Sequence, residues 1–174
     1  MTHVSKHPRP HRRGFTVVEL MIVIVILAIA ATLGADVISH TEATQRADRA
    51  AREVLAALRF ARNLALTTGN ISGVEFDTSA KNAKVYTMIN SVQTWVTVPF
   101  TGSGKSGQYL IDFVGDREIT GVTLTVSLPS DTTNPYDVAF NSLGATLNTG
   151  TVKFSYSTCY KTLTITALAD PTIN

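Results

Sequence analysis

The sequence predicts an α+β protein in which one long N-terminal helix is followed by an antiparallel, β-rich body. Three observations carry this reading. No proline interrupts residues 15–68, and apolar residues recur through that stretch at helical spacing. After Asn70 the pattern changes to short runs rich in Val, Ile, Thr, Tyr and Phe, separated by Gly, Asn, Asp, Ser and Pro. A chain of 174 residues has room for one such domain.

The first half of the helix is apolar. Residues 20–35, LMIVIVILAIAATLGA, contain no charge, and the apolar run begins at Phe15. At about 1.5 Å rise per residue, a helix over residues 15–35 spans roughly 30 Å, the thickness of a bilayer core. Lys6, Arg9, Arg12 and Arg13 precede it, and Asp36 and Glu42 follow. The positive-inside rule then keeps the N-terminus in the cytoplasm and exports the body.

The second half is amphipathic. Ala47, Ala50, Ala51, Val54, Leu55, Leu58, Ala61 and Ala65 form one stripe, while Arg46, Arg49, Arg52, Arg59 and Arg62 take much of the other face. Asp48 and Glu53 lie within helical reach of these arginines, so the basic series reads as a solvated face or a subunit contact. Gly69-Asn70 predicts the helix end. Candidate strands follow at residues 72–77, 84–89, 94–98, 109–113, 122–128, 137–140, 151–156 and 163–166. Val122, Leu124 and Val126 alternate with Thr123 and Thr125, a half-buried strand suited to cover the apolar stripe of the helix.

Glu19 stands inside the apolar run, where a carboxylate costs about 2.5–3.5 kcal/mol on insertion scales. Near the helix start it can reach the headgroups or be protonated; otherwise it needs a partner. A secretory signal would lose its apolar core at a small-residue site, which residues 28–31 imitate. The stretch Arg12-Arg13-Gly14-Phe15-Thr16-Val17-Val18-Glu19-Leu20 instead resembles the class III signal of type IV pilins and pseudopilins. That resemblance implies a leader, residues 1–14, removed by prepilin peptidase between Gly14 and Phe15, with Phe15 then N-methylated. It also implies an assembly role for Phe15 and Glu19, the new amine of one subunit pairing with the Glu19 carboxylate of its neighbour.

The leader changes the charge balance. The whole chain has 15 basic and 13 acidic residues, but four of the basic ones precede Gly14, so the remainder carries a formal −2. This argues against nucleic acid as a partner. The leader also contains His3, His7 and His11, leaving His40 alone beyond it, with Cys159 as the single cysteine. One His and one Cys are poor material for a triad or a zinc site, so no catalytic, cofactor or metal residues are assigned and an enzyme is not expected.

Two loops have chemistry to weigh. Gly104-Lys105-Ser106 ends like a phosphate-binding loop, but Pro99 stands where its first glycine belongs and a strand follows it. Residues 129–137 collect oxygen ligands, Asp131 and Asp137 among them, that suit calcium or an ordinary turn. Asp112, Asp116 and Glu118 form a further acidic group.

The helix-then-strands order resembles the pilin fold. The helix end, residues 58–65, and Phe140-Asn141-Ser142-Leu143-Gly144 are similar to H-type minor pseudopilins of type II secretion and FimT-like minor pilins. The resemblance implies a membrane and assembly helix (15–35), its amphipathic continuation (36–69) and a β-rich body (70–174). It further implies a filament subunit with other pilins or pseudopilins and an inner-membrane assembly platform as partners. A minor type IV pilin for adhesion or DNA uptake is the alternative, for which Lys81, Lys84, Lys105, Lys153 and Lys161 are the candidate contacts.

Overall fold

The computed structural model describes residues 15–97, 107–128, 136–167 and 171–174, without the side chains of residues 31–39. Among the described residues the order is one helix, α1 (Val17–Thr68), followed by nine strands. Two units divide α1 between Ser39 and His40. The body described below is the second unit, His40–Asn174.

The helix starts and stops where local chemistry directs. Thr16 precedes its first turn and its Oγ1 accepts the Glu19 N–H at 3.2 Å, the bond expected of an N-cap threonine. At the other end Gly69 takes φ 71° and its N–H returns to the Ala65 carbonyl at 2.9 Å. This left-handed stop suits glycine because it has no Cβ to clash.

Strands β1 (Ser72–Asp77) and β2 (Asn82–Ile89) form an antiparallel hairpin. β3 (Val92–Trp95) returns along the C-terminal half of β2 through Asn90 and Ser91, both at positive φ, the requirement of a tight two-residue hairpin turn. β4 (Leu110–Asp112) pairs with the N-terminal half of β2. One bridge, Thr97 to Gln108, joins the segments after β3 and before β4. β6 (Asp137–Phe140) closes the other side of β1.

The second sheet runs β5-β7-β8-β9, with β5 at Thr123–Ser127, β7 at Gly150–Tyr156, β8 at Cys159–Ile165 and β9 at Thr172–Ile173. Three expectations are corrected here. The strand expected at 94–98 is Val92–Trp95, because its register is set by the turn before it. β8 begins at Cys159 rather than Leu163, and β9 was not expected. Both depend on backbone pairing with a neighbour, since Tyr160-Lys161-Thr162 offers no apolar alternation.

Both sheets and the body half of α1 share one core. Ala47, Ala50, Ala51, Val54, Leu58, Ala61 and Ala65 are buried as expected, joined by Ala43 and Ala57. Leu55 is only partly buried. An alanine stripe keeps helix propensity high and lets the helix backbone approach the sheets closely. The large groups Phe76, Phe113, Phe140 and Phe154 fill the remaining space. Val122 and Leu124 face inward while Thr123 and Thr125 face out, the alternation expected from the sequence.

Candidate functional site

The N-terminal segment is taken by itself. Gly14 lies outside the described residues, and Phe15 is 78% exposed. Glu19 stands in the first helical turn, where a carboxylate favours the positive end of the helix dipole. With Thr16 it forms the Thr-x-x-Glu spacing of a capping box, a signal present in the sequence. From Phe15 to Ala30 every residue is exposed. The described residues give those apolar side chains no cover.

Among the described residues no helix is long and apolar enough to cross a membrane. The described apolar stretch ends at residue 30, and the expected span, residues 15–35, reaches past it.

In the body, the arginine series is partly fastened rather than simply solvated. Arg46 bonds Glu42 at 2.6 Å, donates to the Thr120 carbonyl at 3.0 Å and lies 5.1 Å from the Tyr156 ring centroid. Arg49 pairs with Glu118 at 3.2 Å, and Arg52 with Asp48 at 2.7 Å. Glu53 is half-buried. Burial first, then the Asp116 and Glu118 charges, raise its pKa above the usual carboxylate value, with Arg49 opposing. Asp112 instead shapes a turn, accepting the Val114 and Gly115 N–H groups at 2.9 and 3.0 Å.

The candidate calcium residues divide. Residues 129–135 lie outside the described residues, whereas Asp137 is buried and already occupied. Its carboxylate accepts the Tyr86 phenol at 2.7 Å and the Asn148 amide at 2.9 Å. The phosphate-loop-like residues 101–106 are likewise outside the described set.

The candidate nucleic-acid lysines do not gather on one face. Lys153 pairs opposite Thr162 and Lys161 opposite Phe154, so alternation sends them to opposite faces of the second sheet. Lys81 and Lys84 belong to the first sheet's hairpin, and Lys105 lies outside the described residues.

His40 and Cys159, judged poor material from their numbers alone, are brought together. Sγ lies 3.6 Å from His40 Nε2, and Thr44 Oγ1 donates to the sulfur at 3.4 Å. Nothing in the sequence joins residues 119 apart. The two-residue turn after β7, with Ser157 at φ 54°, brings Cys159 beside the helix.

Residues 9–35 match the model described as the prokaryotic N-terminal methylation motif. That motif opens a long helix whose continuation packs on antiparallel sheets, a pilin-like α+β fold. The fold is shared with the minor pseudopilin EpsH from the type 2 secretion system of Vibrio cholerae, at a TM-score of 0.55 and 12% identity. The match covers 74% of this chain and 96% of EpsH. A second structure of EpsH, a crystal structure, aligns at a TM-score of 0.46 and 12% identity over 70% of this chain and 87% of that one. No curated protein sequence matches the chain.

The stretch Phe140-Asn141-Ser142-Leu143-Gly144 has a local structural use. Asn141 Oδ1 accepts the Leu143 and Ala145 N–H groups at 3.0 and 2.9 Å. Gly144 takes φ 73° against Leu66, where an added Cβ would lie 3.0 Å from Cδ2. Its positive φ strains any residue with a Cβ, and Leu66 would have to give way by a few tenths of an ångström.

Proposed function

We propose that this chain is a minor pseudopilin, a structural subunit of a type II secretion pseudopilus or a related type IV pilus-like filament, and not an enzyme. The observation that carries the reading is the methylation motif at residues 9–35, which runs into the helix that supports an EpsH-like body. In this reading residues 1–14 orient the chain and are removed by prepilin peptidase between Gly14 and Phe15. Residues 15–35 hold the subunit in the inner membrane, with the body outside the cytoplasm, and later pack among other pilins or pseudopilins.

Glu19 has two partners to reconcile. Within the chain, the Thr16 cap and the helix dipole favour its position. Between chains, the Phe15 amine of a neighbour neutralises a carboxylate that lipid would otherwise penalise. The exposed apolar run from Phe15 to Ala30 supports burial in lipid first and in a filament afterwards.

Mass spectrometry of the membrane form tests the processing step. An N-methylated Phe15 is expected, and an intact leader in cells that contain the peptidase would sink the proposal. Crosslinking in those cells, followed by partner identification, tests the filament. Secretion pseudopilins are the expected partners, whereas components of a retractable pilus would favour adhesion or DNA uptake.

A further inference from the structure

Beyond residue 14 the chain has one histidine and one cysteine, and the fold places their ligating atoms 3.6 Å apart. Each is carried by a regular element: His40 lies on α1, and Cys159 opens β8 directly after a tight turn. A zinc–thiolate bond of about 2.3 Å and a zinc–imidazole bond of about 2.0–2.1 Å, set at the tetrahedral angle, separate sulfur and nitrogen by about 3.6 Å. The observed spacing of 3.6 Å matches that separation.

The geometry points to a two-ligand site for Zn²⁺ formed by His40 Nε2 and Cys159 Sγ. Binding replaces the thiol proton, which leaves to solvent, and uses the His40 tautomer that carries its proton on Nδ1. Thr44 stands one helical turn from His40, and its hydroxyl lies 3.0 Å from the His40 carbonyl and 3.4 Å from the sulfur, so its one proton turns from the carbonyl to the thiolate so formed. Such an outer hydrogen bond orients a ligand and tunes its basicity. His40 is exposed and Cys159 is partly so, which leaves the remaining positions on the ion open to water or to donors of another chain.

Cobalt(II) is a suitable probe, because a thiolate bound to it gives a charge-transfer band in the near ultraviolet. Cys159 is the single cysteine, so that band reports on it, and His3, His7 and His11 cannot produce it. Full-length chain in detergent, kept reduced with a phosphine, is titrated with Co²⁺ and then with Zn²⁺. The band is expected to saturate and to be displaced by zinc. It is lost in Cys159→Ser, and its midpoint shifts at least about tenfold in His40→Ala, in line with the cost of disturbing a metal's ligand shell. His7→Ala leaves it unchanged. No band in the unmodified chain, or the same midpoint in His40→Ala, overturns the site. A near-native thermal melt of each variant separates loss of metal from loss of fold.

Discussion

Gly73 stands directly opposite Tyr86 in the β1–β2 register, and the space left by its missing side chain holds the Tyr86 ring. A Cβ at position 73 would lie 2.9 Å from ring atoms and 2.5 Å from the Val138 carbonyl oxygen. From that position the phenol reaches the buried Asp137 carboxylate at 2.7 Å. A small residue on one strand thus allows a polar bond between its two neighbours.

Tyr86→Phe is expected to destabilise the body by about 1–3 kcal/mol, the range for leaving a buried acceptor short of a donor. Gly73→Ala should cost at least as much, because overpacking against backbone adds to the lost bond. Urea unfolding checks both, as a lower midpoint at unchanged slope. A neutral Tyr86→Phe would mean that the other partners of Asp137, Asn148 among them, satisfy it.

Neighbouring alanines on α1 should respond in opposite ways. Ala57 is fully buried and Ala56 is exposed. Ala57→Leu is expected to cost about 1–3 kcal/mol by forcing helix and sheets apart, whereas Ala56→Leu stays within about 0.5 kcal/mol of the parent. Equal effects in chemical denaturation would contradict the close approach assigned to the alanine stripe.

The raised Glu53 pKa implies a pH-dependent stability. Its folded value lies above its unfolded one, so the folded state holds a proton that the unfolded state has released. The stability it contributes is present below the ordinary carboxylate range and is lost as pH rises through the folded value. Glu53→Gln is therefore expected to melt above the parent at pH 7, with the gap closing toward pH 4. A gap constant across that window would assign the effect to packing instead.

Glu19→Ala should leave membrane fractionation intact and lower incorporation into filaments by about tenfold or more, since an unpaired buried charge costs about 3–5 kcal/mol. Thr16→Ala removes the cap alone, worth about 1 kcal/mol, and should assemble nearly normally. Equal defects in sheared-filament fractions would place the role of Glu19 within its own helix.

Elements with strong local signals were legible in the sequence. The helix end at Gly69 follows from glycine's freedom at positive φ, and β1 and β6 coincide with the expected residues 72–77 and 137–140. Strands without their own apolar rhythm were not. The first residues of β8 and the whole of β9 are extended because a neighbour supplies hydrogen bonds. Partner choice was equally hidden, since β6 joins β1 across a long sequence separation and β3 and β4 share one side of β2.

By itself the sequence determined the methylation motif within residues 9–35, the alanine stripe and the α+β class. These depend on residue type at short spacing, through charge, helical periodicity and the alternation of extended chain. Tertiary structure alone decided that Asp137 is consumed by Tyr86 and Asn148, that Lys153 and Lys161 point apart, and that His40 meets Cys159. Each of these is a meeting of residues far apart in sequence. Its geometry is set by how strands register and how the helix packs on them, which residue spacing does not encode.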